Sequence, residues 1–283
     1  MRSVVIIGPG KVGRALAALL PRVGYDVRGL LGRVEMEAEP GAAMAAAAEV
    51  VFITTPDRAI AGVAEAVAGR GGFRPGQVVA HTSGALSSEV LAPARQSGAA
   101  TLSMHPLQTF ASVETAVRVL PGSTFVLEGD PEGLSVGREL AQRLGGRAWE
   151  ISLAAKSVYH AAACIASNYL VTLVDAAVRL WERAGLPREE AIPALLPLLR
   201  GTVDSVAAVG VPGALTGPVE RGDLEVLRGH LRGIAQQAPE LLELYANLGE
   251  YTARVAREKG RLGDGQAQEV RSLMKEGSRW LRR

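Results

Sequence analysis

The sequence predicts an α/β chain in two parts: a doubly wound, mostly parallel sheet, followed by an all-α domain. Three observations carry this. Residues 4–16 read VVIIGPGKVGRAL, a β-branched run that meets Gly8, Gly10 and Gly13 in the spacing G-x-G-x-x-G and then a helical pattern. From there to residue 151, short apolar runs alternate with helix-sized stretches, the arrangement that builds a parallel sheet. Beyond residue 154 the strand-like runs stop and long helical patterns take over.

In chain order, residues 4–7 are the first strand and 11–23 its helix; 26–31 are the second strand. The alanine-rich stretch 41–48 is a short helix of low complexity. Residues 50–55 are a buried strand closed by Pro56 and Asp57, with a helix through residue 68. The run 77–81 is a strand ending in Thr82-Ser83-Gly84, and 101–104 a short strand ending at His105-Pro106. A strand at 123–127, a helix at 131–144 and a strand at 147–151 complete the alternation. Helices are then expected at 154–184, 188–209, 223–237, 239–258 and 265–281. Pro187 stands at a helix start, and Gly185, Gly210 and Gly260 stand where helices should stop. The change of character near Ser152 divides the chain into a dinucleotide-binding domain, 1–152, and a helical substrate and dimerisation domain, 153–283.

A chain of 283 residues is long enough for two domains, and 48% hydrophobic with 21% charged residues suits a soluble protein with a substantial core. A net charge of +2 with dispersed basic residues is too small to argue for nucleic acid or an anionic membrane surface, and neither is expected as a partner. The cluster Arg279, Arg282 and Arg283 reads as a solvated end. With Cys164 alone there is no intrachain disulfide and no cysteine-based metal cluster, and the histidines are too dispersed for a metal site. The chain enters a strand at once, leaving no room for a signal peptide, and no uninterrupted apolar run reaches the length of a membrane span. A cytoplasmic location is the expectation.

The candidate chemistry starts at the glycines. Gly8 allows a tight turn, Gly10 lets a pyrophosphate approach the backbone, and Gly13 lets the next helix pack close, its N-terminus facing the anion. The loop Gly8-Pro9-Gly10-Lys11-Val12-Gly13 is therefore the expected cofactor cradle. After the second strand an NAD-binding protein usually carries an acidic residue for the ribose; here Arg33 stands there, suited to a 2′-phosphate, with Glu35 nearby as the counter-indication. NADP is expected as cofactor, with NAD the alternative. Thr54, Thr55 and Pro56 would lie under the cofactor, Pro56 with Asp57 serving mainly to turn the chain.

Ser83 and His105 sit at strand ends beside the expected nicotinamide, as does His81. Lys156 and His160 share a helix face at i and i+4 in an otherwise apolar segment, where packing alone would not select them. On the same wheel Ser167 falls within about 20° of Lys156 and Asn168 about 120° round. Lys156 and His160 are the expected catalytic pair, facing a carbonyl above the nicotinamide. Ser83, His105, Asn168, Thr216 and Arg221 are the expected substrate contacts, arginine being able to clamp a carboxylate. Asp223 reads equally as a helix N-cap.

The blocks GPGKVG, TPD, HTSG, SMHPLQTF, K-x-x-YH with ASN, and LTGPVERGD resemble a bacterial family of Rossmann-like oxidoreductases over nearly the whole chain. Their helical C-terminal domain has long been catalogued as of unknown function. The layout is similar to the wider superfamily of 6-phosphogluconate and β-hydroxyacid dehydrogenases, ketopantoate reductase and pyrroline-5-carboxylate reductase. The resemblance implies a C-terminal domain like that of 6-phosphogluconate dehydrogenase and a homodimer formed through it. It also matches Lys156 to the catalytic lysine of β-hydroxyacid dehydrogenases. His160 stands where those enzymes carry asparagine, which argues against β-hydroxyacid substrates. The function implied is NADP-dependent reduction of a small, anionic polar carbonyl such as a ketopantoate-like 2-keto acid. Two alternatives remain: an imine reductase of the pyrroline-carboxylate type, and a non-catalytic NADP-binding sensor.

Overall fold

The computed structural model describes residues 1–37 and 39–280. The expected helix end at Leu281 and the basic residues Arg282 and Arg283 lie outside the described residues. Two compact units divide between Asn168 and Tyr169.

In the first unit β1 (Ser3–Ile7) leads into α1 (Lys11–Leu19), and β2 (Asp26–Leu31) into α2 (Arg33–Glu37) and α3 (Glu39–Ala47). Then β3 (Val50–Ile53) is followed by α4 (Asp57–Gly69), β4 (Val78–His81) by α5 (Ala92–Gln96), and β5 (Ala100–Pro106) by α6 (Val113–Val119). Finally β6 (Thr124–Gly129) precedes α7 (Pro131–Arg143), and β7 (Arg147–Glu150) precedes α8 (Lys156–Ala166). Among the described residues, seven strands form one sheet in the order β2-β1-β3-β4-β5-β6-β7. The order reverses between β1 and β3, whose carboxyl ends therefore flank the crevice where ligands of open sheets bind.

Alternation along the strands makes the two cores. Val4, Ile6, Val50, Phe52, Ala80 and Leu102 face α1, α6 and α7, whereas Val5, Ile7, Val51, Ile53 and Val79 face α4 and α5. Each large aliphatic group buried this way contributes about 2 kcal/mol.

One strand departs from the expected parallel pattern. β6 runs antiparallel to β5, with Pro106 opposite Phe125. The link between them stays at one end of the sheet instead of crossing it. Its helix α6, capped by Ser112 accepting from Thr115 N at 3.1 Å, packs in the same core as α1. Seven residues with three valines carry too little helical periodicity to be read in advance. His105 and Pro106 also fall inside β5 instead of after it. β4 ends opposite Ser103, so proline stands at a strand end flanked on one side only, where its missing N–H is tolerated.

The expected helix at 154–184 breaks at Ser167 (φ −118°, ψ −67°), and a new helix starts on Asn168. The wheel angle drawn from Lys156 therefore does not extend to Asn168. The unit boundary also lies beyond Ser152: the secondary structure changes there, but α8 keeps its contacts with the sheet strands.

The second unit contains α9 (Asn168–Arg183, of which Asn168 belongs to the first unit), α10 (Arg188–Ala214), α11 (Pro218–Arg221), α12 (Leu224–Gln237), α13 (Leu242–Glu258) and α14 (Asp264–Gly277). Leu227, Leu231, Leu242, Ala253, Val270 and Met274 form its core. Gly210 does not end a helix as expected; it kinks α10 (φ 75°), which resumes to Ala214. Asp223 is the N-cap of α12, accepting from Val226 N at 3.2 Å. Helical stretches Leu153–Arg183 and Arg188–Arg221 are long and apolar enough to cross a membrane by length and composition. Polar residues such as His160, Asn168, Arg200 and Asp204 punctuate them, so neither reads as an uninterrupted apolar run.

Candidate active site

The glycine loop follows β1. Gly8 has φ +114°, and a Cβ there would stand 2.7 Å from Thr55 N. A Cβ on Gly13 would stand 2.1 Å from Gly8 O and 2.5 Å from Thr54 Oγ1. Both glycines are thus required by the fold. Gly10 differs: the nearest protein atom to an added Cβ is Thr54 O at 3.8 Å, so packing leaves the space beside it free. Gly10 is also the N-cap of α1, whose first turn carries no acidic residue to neutralise the exposed N–H groups. These features fit the pyrophosphate of a dinucleotide.

The other expected cofactor residues surround this loop. Thr54 Oγ1 donates to Gly8 O at 2.7 Å and rivets the loop to β3. Thr55 Oγ1 is buried with no hydrogen-bond partner among the described residues, and Pro56 is the N-cap of α4. Pro9 O accepts from Arg14 Nε at 2.8 Å, and Val12 packs on the core. Lys11 Nζ donates to Phe110 O at 3.1 Å, tying the loop to the segment after β5. Arg33 opens α2 on the surface, while Glu35 turns back to accept from Gly32 N at 2.9 Å. The carboxylate that weakened the 2′-phosphate argument is therefore engaged in capping its own turn.

A second cluster gathers at the carboxyl ends of β4 and β5. Lys156, only 2% exposed, donates from Nζ to Ser103 Oγ at 2.5 Å. Burial pushes its ammonium down to about 8, against the pull of the Glu128 and Asp57 carboxylates. Glu128 in β6 is itself buried and accepts from Ser88 N at 2.7 Å and Ser88 Oγ at 2.8 Å. One turn along α8, Tyr159 OH lies 2.7 Å from His105 Nδ1, and burial raises the phenol to about 12. His105 is pushed down to about 4, first by burial and then by Lys156 and His160. His160 packs edge-on against His105, with ring centroids 6.1 Å apart. Its Nε2 lies 3.6 Å from Cys164 Sγ, and its Nδ1 is buried without a hydrogen-bond partner among the described residues.

The structure thus brings Lys156, His160 and His105 together. Ser83 takes another role. Its Oγ donates to Asp57 Oδ2 at 2.8 Å and accepts from Ala85 N and Leu86 N, so the hydroxyl expected to orient substrate braces the loop after β4. His81 is fully buried: Nδ1 accepts from Ser83 N at 3.1 Å, leaving Nε2 to donate to Ser87 O at 3.0 Å. Burial holds it neutral, down to about 4. Asn168 opens α9 after the break at Ser167.

Thr216 and Arg221 belong to the second unit and are exposed. Their segment is fastened to the end of α13: Lys259 Nζ donates to Leu215 O at 2.7 Å, and Glu220 pairs with Lys259 at 3.2 Å and Arg261 at 3.3 Å. Among the described residues no group of three His, Cys, Asp or Glu side chains is arranged for a metal ion.

Sequence reasoning gave no role to Tyr159 or Glu128, and it placed Ser103 with His105 only as a polar group at a strand end beside the expected nicotinamide. Tyr159 was within reach, since i and i+3 share a helix face with Lys156. Glu128 carried no local signal, because its place beside Lys156 depends on the pairing of β6 with β5.

Residues 1–106 match a Rossmann-like domain, and residues 123–252 match a domain of unknown function (DUF2520). Among solved structures, the chain is similar to protein TM1727 from Thermotoga maritima, at 27% identity over 99% of this chain and 100% of that one, TM-score 0.66. It is also similar to a Bacteroides fragilis protein provisionally named an NADP oxidoreductase, at 24% identity over 91% and 97%, TM-score 0.67. A third is Plasmodium falciparum pyrroline carboxylate reductase with NADP bound, at 14% identity over 96% and 98%, TM-score 0.57. No curated protein matches the sequence. The two matches lie in the order of the two-part architecture that the motifs imply, a Rossmann-like part followed by a helical one.

Proposed function

We propose that the chain is an NADP-dependent oxidoreductase that reduces a small, anionic polar carbonyl compound, a 2-keto acid being the leading substrate class. The observation that carries this reading is the buried Lys156 ammonium with His105 and His160 at the carboxyl ends of β4 and β5. The glycine loop after β1, built to admit a pyrophosphate, stands on the same sheet. The likeness to NADP-named structures supports the fold in which such a cofactor sits.

NADPH, when bound, supplies the hydride. Gly10, at the start of α1, would admit its pyrophosphate while Gly8 and Gly13 hold the turn, and Arg33 would meet the 2′-phosphate. Lys156 holds a proton and a positive charge in a dry setting, where both act strongly on a developing oxyanion. With its ammonium near 8, it is mostly protonated at neutral pH and still able to give the proton up. His160 supports or replaces it as donor.

A second reading, reduction of a cyclic imine, draws on the likeness to pyrroline carboxylate reductase. The test is NADPH consumption against 2-keto acids and cyclic imines, with Lys156→Ala as control. Turnover of keto acids that is lost in the variant supports the first reading, and preference for imines favours the second. Binding of NADPH with no turnover of either class makes the protein a sensor.

A second copy of the chain is the proposed partner, in the cytoplasm and away from any membrane. What supports it is the apolar surface of α10, where Leu198 is 68% and Val209 61% exposed. Light scattering of wild type and Leu198→Glu tests this. A dimer that the variant splits is expected, and a wild-type monomer, or one that sediments with vesicles, refutes it.

A further inference from the structure

Tyr159 and His105 form a half-buried polar pair beside Lys156 and His160. Their contact is 2.7 Å, from the phenolic oxygen to Nδ1. The phenol is raised to about 12, so it keeps its proton at neutral pH, while the imidazole stays uncharged down to about 4. A neutral imidazole carries one proton. If the phenol donates to Nδ1, that proton stands on Nε2. The ring edge formed by Cε1 and Nε2 lies over Gly84, where a Cβ would come within 2.9 Å of both atoms. The same Cβ would stand 2.7 Å from His160 Nδ1, so His160, which packs edge-on against His105, borders this edge as well. Ser103, two residues before His105 on β5, meets Lys156 Nζ, so the ammonium and this imidazole belong to one strand end.

We propose that Tyr159 is a positioning residue: its O–H fixes His105 as the Nε2–H tautomer, so that His105 presents a hydrogen-bond donor to an oxygen of the substrate. A donor at this place favours a carbonyl or carboxylate oxygen. It disfavours a protonated imine, whose N–H would meet another N–H with no acceptor between them. Gly84 keeps the approach to the donor free of a side chain. The inference rests on the reductase reading for its substrate, but the tautomer itself does not depend on that reading.

Long-range proton–nitrogen correlation of the histidine rings, in the ligand-free protein near neutral pH, reads the tautomer directly. His105 is expected as Nε2–H in wild type and as a mixture of tautomers in Tyr159→Phe. Oxamate, which mimics a 2-keto acid, is then titrated in the presence of NADP. It is expected to shift the His105 Nε2–H resonance in wild type. It should bind at least fivefold more weakly to Tyr159→Phe and at least tenfold more weakly to Gly84→Ala, with NADP affinity kept within twofold. A wild-type His105 protonated on Nδ1, or oxamate affinity unchanged in Tyr159→Phe, overturns the proposal. Wild type that binds oxamate at His105 but not NADP overturns the reductase reading and leaves the donor role standing.

Discussion

Replacing Lys156 by methionine should stabilise the first unit while abolishing turnover, because the ammonium is buried at a net cost to the fold. The group falls from 10.5 to about 8 on folding, a difference of roughly 3 kcal/mol. That figure already includes the attraction of Glu128 and Asp57, since burial outweighs both. Below pH 8 the folded and unfolded chains both carry the proton, and folding bears the whole cost. Between about 8 and 10.5 only the unfolded chain holds it, so the cost fades as pH rises. At pH 7 the variant escapes roughly 3 kcal/mol and loses the bond to Ser103, worth about 1.5 kcal/mol. A net gain of about 1–2 kcal/mol follows, at the expense of activity. The cleaner signal is the slope: from pH 7 to 9.5, wild type should gain about 2 kcal/mol relative to Lys156→Met. Trp149 in β7 reports on this unit, so urea unfolding followed by its fluorescence, with Trp181 and Trp280 replaced by phenylalanine, isolates the transition. A variant less stable than wild type by more than about 1 kcal/mol at pH 7 refutes the reasoning. So does a stability difference that stays flat between the two pH values.

Other outcomes follow from the same geometry. Gly10→Ala should keep its melting temperature but lose NADPH binding at least tenfold, whereas Gly13→Ala, with a Cβ 2.1 Å from Gly8 O, should lose about 2–3 kcal/mol of stability as well. Equal behaviour of the two in calorimetry and cofactor titration would contradict the separation of packing from ligand approach. Arg33→Ala should weaken NADPH by about tenfold and leave NADH unchanged. Equal wild-type affinities for the two cofactors would remove the 2′-phosphate argument. His81 and His105 are both lowered from 6.5 to about 4, so the stability they contribute is complete above pH 6.5 and is lost as pH falls towards 4. Melting temperatures across that window should drop steeply in wild type and less so in His105→Phe.

The parts of the site legible in the sequence are those with a short-range cause. Gly8 and Gly13 are written in the spacing of one turn, and the structure makes each necessary through atoms of Thr54, Thr55 and Gly8 itself. Lys156 and His160 announce themselves as polar residues on one face of an apolar helix, and they stand with His105 at one end of the sheet. The break at Ser167 was not legible, because nothing in ASN distinguishes a helix that stops from one that continues. Ser83 was read as a substrate contact because it ends a strand; the carboxylate that occupies it, Asp57, lies 26 residues away at the head of α4.

The sequence by itself determined the α/β alternation, the switch to helices and the anion-ready turn, since periodicity and glycine conformation act within a few residues. Only the tertiary structure decided the reversed strand β6 that brings Glu128 towards Lys156, the contact between Tyr159 and His105, and the burial that lowers the lysine. Those properties arise from groups that are distant in the chain and close in space, and from the exclusion of water between them.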